Sequence, residues 1–419
     1  MEKTGWEFIG VVERKVDSQH LKTGMYVSRL DRPWIETPFP FQGFYIRAVK
    51  DIERLQRYCR FVYIDTERGA TASRYLKQDD DRAVACQVHA ICSNATVKSR
   101  YRKTESFESE LQMAREQHSK LGQLVRNVMD DVRAGRKIGA VSVRHAVAGM
   151  IESILRNPDA FLWLARLKEA DTYTYDHAIG CCTLAVAFGR HLGFSKADLM
   201  RLAVGTLLFD IGKMKLPQSL FSHSGPLSPQ EFELMKEHVG YSVALMQETK
   251  GMDPVAIDIA LHHHERHDGS GYPGGLSNGQ IPVYGQIAGL VDCYDAITSD
   301  RPHQPALSPH AAVNKLYQWR NVDFQDALVE QFIQCLGVYP TGTIVELTNG
   351  QVGIVLVQNK IRRLRPKVML VLDANKNRYD IAPTVDLMTE NEDNDGAKLE
   401  IKGALSPGAY GIDPKEFYI

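Results

Sequence analysis

His262-His263-His264-Glu265-Arg266-His267-Asp268-Gly269-Ser270-Gly271-Tyr272-Pro273 sets four histidines against a glycine-built turn within a dozen residues. Neutral imidazoles at 263 and 264 offer adjacent nitrogen ligands. In the run that follows them, the glycines permit positive φ and the proline fixes the exit of the loop. Successive helical positions are rotated by about 100°, so His262 is expected to point away from any site that His263 and His264 share.

Outward from this stretch, the chain from Ile151 reads as helical for nearly two hundred residues, an all-α bundle with charged and imidazole side chains on successive helices. His177 closes T-Y-T-Y-D-H at a helix start, Asp210 lies in L-L-F-D-I-G-K near a helix end, and Asp292 lies in G-L-V-D-C-Y-D-A. His238 belongs to a helix opened by Ser228-Pro229-Gln230-Glu231, a capping box with proline at the first helical position. Singly, each of these is an ordinary polar or buried residue. Together, imidazoles and carboxylates converging from facing helices are how bundles build di-metal centres, and mixed nitrogen and oxygen ligands suit iron or manganese. No cysteine is expected at a position that favours zinc.

The 419 residues, 44% of them hydrophobic, suffice for two domains with proper cores. A formal net charge of -1 excludes the broad basic field of a polymer-binding or membrane-surface protein, while leaving room for a compact anionic ligand. No apolar run reaches spanning length and the first residues lack a signal-peptide pattern, so the expected location is the cytoplasm, without membrane insertion. The seven cysteines show no C-x-x-C spacing and read as reduced thiols, with Cys181 and Cys182 in the core.

Four segments are expected: an α+β module over 1–92, a linker and amphipathic helix over 93–141, the helical domain over 142–340, and a β appendage with a tail over 341–419. In the first, strand-like runs at Met25–Leu30 and Phe61–Asp65 flank a helical pattern at Ile52–Tyr58. Its proline-rich loop Asp31–Phe44 carries Trp34, Phe39, Phe41 and Phe44, which either cap the local core or form a docking surface. In the second, Leu111, Ala114, His118, Leu121, Val125, Val128 and Val132 trace a heptad seam, either a homodimer contact or a face packed on the chain's own core. In the last, Thr343–Leu347 and Gln351–Val357 flank Asn349-Gly350, a hairpin signal, and Val368–Leu372 follows.

The motifs H-H-E-R-H-D-G-S-G-Y-P, A-I-T-S-D-R-P-H and F-I-Q-C-L-G-V-Y-P resemble the HD-GYP family, cyclic di-GMP phosphodiesterases of the HD metallophosphohydrolase superfamily, over roughly Ile151 to Gly353. G-M-Y-V, L-D-R-P-W and F-P-F-Q-G-F resemble the uncharacterised module that often precedes such domains. The resemblance implies a binuclear or trinuclear centre that opens cyclic di-GMP to linear pGpG, and often onward to GMP; for this chain one or two divalent ions are expected. It implies His177, Asp210 and Asp292 for a first metal, with Asp210 bridging, and His238, His263 and His264 for a second. It further implies Asp210 and Lys213 as catalytic residues, with Lys213 and Arg301 on phosphate. Asp268, Gly269, Gly271, Tyr272 and Pro273 then form a signature loop that borders the substrate and meets diguanylate cyclase (GGDEF) domains.

The chain departs from that pattern at Phe209, where the H-D pair has its histidine and a ligand of the first metal. Tyr173 stands where some relatives carry a glutamate for a third ion, Gln304 where a basic residue assists phosphate binding, and His303 where tyrosine is common. His267, in the loop, is a candidate to replace the missing ligand. Two functions therefore stand: a working phosphodiesterase with reduced activity, or a catalytically silent module that senses cyclic di-GMP or binds a protein. Hydrolysis of another nucleotide phosphate is a narrower third.

Overall fold

The computed structural model describes residues 6–8, 11–31, 44–65, 101–167, 173–221, 225, 227–300, 305–359, 362–390, 392, 396 and 398–417. Trp34, Phe39, Phe41, Arg301, His303 and Gln304 lie outside them. The chain forms two compact units, 1–89 and 90–419.

In the first unit a five-stranded antiparallel sheet has the order β1 (Trp6–Phe8), β2 (Val11–Asp17), β5 (Phe61–Asp65), β3 (Tyr26–Leu30) and β4 (Phe44–Tyr45). The register sets Val16 opposite Val62 and Leu30 opposite Val62 on the other side, with a bulge between Val27 and Arg29. One face is thereby apolar. Helix α1 (Val49–Tyr58) closes it by placing Leu55 in a core with Val16, Val27, Leu30, Val62 and Ile64. Each such side chain contributes about 1.5–3 kcal/mol when withdrawn from water. Phe44 packs against this core partly buried, as a capping role predicts.

The second unit begins with α2 (Phe107–Arg133), whose first turn is capped by the Ser106 hydroxyl accepting from the Ser109 amide at 3.0 Å. Leu111, Ala114, Leu121, Val125, Val128 and Val132 are buried within the unit itself, and His118 sets its ring 5.8 Å from Phe161. The heptad seam thus packs on the chain's own core, and its apolar residues are not available as a dimer surface. Glu110 is buried and clasps α3 (Ala140–Arg156): Ser153 Oγ and Arg156 Nε each donate to it at 2.7 Å.

Short α4 (Pro158–Leu164) leads to α5 (Tyr173–His191) and α6 (Lys196–Leu208), which lie side by side at the centre of the bundle. Helix α6 is buried at every position from Leu202 to Leu208, as a helix surrounded by others must be. Helices α7 (Pro229–Gln247), α8 (Pro254–His262) and α9 (Val283–Ile297) surround the pair, and α10 (Pro309–Gln318) and α11 (Asp326–Leu336) complete the bundle. Both halves of the expected capping box are present: Glu231 N donates to Ser228 Oγ at 3.3 Å and Ser228 N to Glu231 Oε2 at 2.8 Å.

The appendage is a second antiparallel sheet, ordered β10 (Ile401–Ala404), β6 (Ile344–Leu347), β7 (Val352–Val357), β8 (Lys367–Leu372) and β9 (Thr384–Asp386). The Asn349-Gly350 turn joins β6 to β7 with Gly350 at φ 84°. Two short strands were not legible, since Thr384–Asp386 and Ile401–Ala404 carry too little alternation. Among the described residues no helix is long and apolar enough to cross a membrane.

Glu110 joins two helices through a charge that burial leaves few ways to satisfy. Glu110→Ala is expected to destabilise the protein by about 2 kcal/mol, less than a fully buried pair because Arg156 is partly exposed. Urea unfolding checks this, and an unchanged midpoint would refute it.

Candidate metal centre

Asp210 lies two residues past the end of α6 rather than inside it, at the head of a 3-10 turn, Ile211–Lys215. That turn is pressed onto α7: Gly212 N donates to Ser242 Oγ at 2.8 Å, and a Cβ on Gly212 would come within 2.1 Å of the His238 carbonyl oxygen. Only glycine allows so close an approach, and the approach is what brings Asp210 to His238. His263 and His264 likewise stand just beyond the last residue of α8, so three of the expected ligands sit at helix ends, as the sequence reading had them, but one or two residues outside the helices.

The ring tautomers follow from their backbone partners. His238 Nδ1 lies 2.6 Å from the Met235 carbonyl oxygen and His263 Nδ1 2.8 Å from that of Ala260, so each Nδ1 carries hydrogen and donates. Each Nε2 is then a bare lone pair. The two Nε2 atoms are 3.5 Å apart and lie 3.2 and 3.7 Å from Asp210 Oδ1, an oxygen that is buried and accepts no hydrogen bond from the described residues. Lone pairs and a carboxylate meeting without hydrogen between them repel, and a cation among them removes the repulsion. His264 completes the group, its ring centroid 4.1 Å from that of His263, and one ligand atom from each of Asp210, His238, His263 and His264 falls within 4.8 Å of the others. Burial, then the neighbouring His263 and His238, hold His264 well below the usual imidazole range, in the neutral form that ligates.

On the other side of Asp210, His177 Nδ1 lies 2.7 Å from Asp295 Oδ2, which fixes the hydrogen on that nitrogen. Its Nε2 faces Asp292 Oδ1 at 3.0 Å and Asp210 Oδ2 at 3.4 Å. Asp210 therefore presents one oxygen to each half. Burial alone would raise the Asp210 carboxyl, but the Lys213 charge overcomes it and holds it well below the carboxylate range. Lys213 Nζ is 2.5 Å from Asp210 Oδ2. Asp292 Oδ2 reaches toward His264 Nδ1 at 3.9 Å and so touches both groups.

Phe209 is fully buried between the halves, its ring centroid 4.5 Å from His263 and 6.2 Å, nearly parallel, from His177. It supplies no ligand. His262 turns away as its helical position requires, with Nδ1 2.9 Å from the Asp258 carbonyl oxygen. His267 joins neither group, so it does not replace the missing imidazole. The side chain of Tyr173 lies outside the described residues.

The loop approaches the centre through Tyr272, whose ring stacks on His264 at 4.6 Å. Gly269 has φ 84°, as the turn reading requires, but Gly271 is needed for a different reason: a Cβ there would come within 2.5 Å of the His264 carbonyl oxygen and of Glu265 Cα.

Three residues escaped the sequence reading. Asp295 stands one helical turn after Asp292, a spacing that places both carboxylates on the same histidine. Glu265, buried, accepts from Gly274 N at 2.6 Å and Leu276 N at 2.8 Å and so holds the loop. Cys181, one turn after His177, is core as expected, and its sulfur also lies within 4.8 Å of ligand atoms of His177 and Asp292. Burial pushes its thiol up to about 12.

Comparison with known proteins agrees with this geometry. The domain of unknown function DUF3391 matches residues 13–142, an HD domain matches 158–327, and a KOW domain associated with HD domains matches 344–393. A cyclic di-GMP phosphodiesterase of Pseudomonas aeruginosa is 31% identical over 363 residues, 86% of this chain and 86% of its own. One of Thermotoga maritima is 30% identical over 41% of this chain and 46% of its own. The 3'3'-cGAMP-specific phosphodiesterase 2 of Vibrio cholerae is 33% identical over 41% of this chain and 32% of its own. With a likeness that runs through all three matched regions, the chain belongs to the HD-GYP family of HD-domain proteins.

Proposed function

We propose that this chain is a metal-dependent phosphodiesterase acting on cyclic di-GMP, with linear pGpG as first product and GMP after a second cut. The observation that carries this reading is Asp210, buried between two groups of bare imidazole and carboxylate ligand atoms and offering one oxygen to each. Divalent ions held there supply Lewis acidity and an activated water for phosphodiester cleavage. Water adds to phosphorus, the bond from phosphorus to the 3′ oxygen breaks, and that oxygen takes up a proton.

The chain's own residues do the rest. Asp295 holds the His177 ring so that Nε2 faces the centre. Lys213, already beside Asp210, meets the charge that grows on the phosphate, and Arg301 contacts a phosphate oxygen. Tyr272, stacked on His264 with its loop held by Glu265, borders the cyclic dinucleotide. The same exposed loop is the surface we assign to a GGDEF partner. Phe209 supports the second reading, a silent sensor, because it removes one nitrogen from the His177 half and sets an apolar ring against it.

Turnover of cyclic di-GMP, with 3'3'-cGAMP as competitor, and metal content decide between them. Phe209→His is expected to raise metal occupancy and to increase turnover by on the order of tenfold or more. Wild-type protein with no turnover of either dinucleotide and activity gained only by the variant would establish the sensor instead. Lys213→Ala is expected to lower kcat by about 10²–10³-fold with metal content unchanged; equal loss of metal would assign the lysine to building the centre. Glu265→Ala is expected to raise KM by about tenfold or more while the bundle keeps its thermal midpoint, and an unaltered KM would remove the loop from substrate binding.

A further inference from the structure

Arg190 is next to last in α5 and only 4% exposed. Its Nε and Nη2 both donate to a single oxygen, the Leu155 carbonyl near the end of α3, at 3.3 and 3.1 Å. Its Cζ lies 5.9 Å from the centroid of the Tyr101 ring. The carboxylate that acts on it, Asp159, is already held by Lys103, and among the described residues none pairs with Arg190 directly. A guanidinium keeps its proton in proteins, so this is a buried cation short of counter-charge, and burial pulls its pKa below the ordinary arginine range. For the Leu155 carbonyl alone a neutral amide would serve, at a lower cost of desolvation.

Arg190 lines a half-open cleft between the start of α4, the ends of α5 and α11, and the stretch that follows β7. The cleft holds about 500 Å³ of space, counted out to its open mouth. Lys103 and Arg363, both partly exposed, line it from two further segments, one before α2 and one after β7; Arg363 Nη2 donates to Gln334 Oε1 at 3.3 Å. The lining therefore carries three permanent cations against one carboxylate, and it includes no residue of either ligand group around Asp210.

We propose that this cleft is a binding site for a phosphate group, separate from the metal centre, with Arg190 as its buried anchor and Lys103 and Arg363 meeting further oxygens from the rim. A tetrahedral dianion suits cations that arrive from three segments, since each finds an oxygen of its own; a carboxylate offers only two. Arginine and phosphate pair through charge-assisted hydrogen bonds, roughly twice as strong as neutral ones. Inorganic phosphate and the end group of a nucleotide monoester present the same oxygens to such a site. The cleft stands whether or not the metal centre turns over substrate.

The test is calorimetric titration of the full-length protein with inorganic phosphate, with and without a chelator. Wild type is expected to bind phosphate at a site that chelation leaves in place. Arg190→Gln and Arg363→Gln, each with circular dichroism showing an intact fold, are expected to weaken that binding by about tenfold or more. Arg363→Gln changes only a rim residue and keeps the measurement decisive should the buried substitution unfold the chain. Competition names the source: GMP displacing phosphate while guanosine does not assigns a nucleotide's end group, and phosphate binding indifferent to GMP assigns the free ion, and both uphold the site. Phosphate binding that the chelator abolishes belongs to the metal centre and overturns the proposal. Unchanged affinity in either folded variant overturns it as well, as does a wild-type protein that takes up no phosphate.

Discussion

The arrangement around Asp210 is an electrostatic conflict built into a dry interior. His238 and His263 each commit Nδ1 to a carbonyl, and His177 commits its own to Asp295, so three Nε2 lone pairs face carboxylate oxygens or one another. Among the described residues no donor relieves Asp210 Oδ1. Such groups cost several kcal/mol when buried without a partner, and a divalent ion reverses the sign of every one of these contacts. The surrounding helices are arranged so that the conflict persists rather than relaxes: Gly212 permits the 3-10 turn to lie against α7, and the carbonyls that fix the rings belong to helices that packing holds in place.

Much of this was legible in the chain. The capping box at Ser228 fixed where His238 falls on its helix, Asn349-Gly350 placed the hairpin, and the rotation between successive helical residues removed His262 from the centre. The exact stops were not legible, because α6 and α8 end one or two residues before their ligands and nothing in L-L-F-D-I-G-K or L-H-H-H-E-R-H marks the last helical residue. Asp295 was hidden for a different reason. Its role depends on α5 meeting α9, more than a hundred residues apart, and aspartate is common in helices that do no chemistry. The heptad of α2 is instructive in the same way: its spacing specifies an apolar stripe, and only the presence of α3 and α4 decides that the partner is internal.

The substitution at 209 bears on stability as well as on ligation. A histidine there would add another nitrogen to a cluster already short of hydrogen; a phenyl ring fills the space with apolar contact against His177 and His263. In the absence of a cation the phenyl is therefore the less costly residue, since it brings no polar atom that burial leaves unsatisfied. With a cation bound the order reverses, because the ion then lacks a ligand that histidine would have given. Phe209 thus trades affinity at one half for ease of folding without metal, and the two halves need not respond alike: Asp210, His238, His263 and His264 are untouched by the change. The His177 half retains two carboxylates, Asp292 and Asp210, whose oxygens stand 3.0 and 3.4 Å from its Nε2.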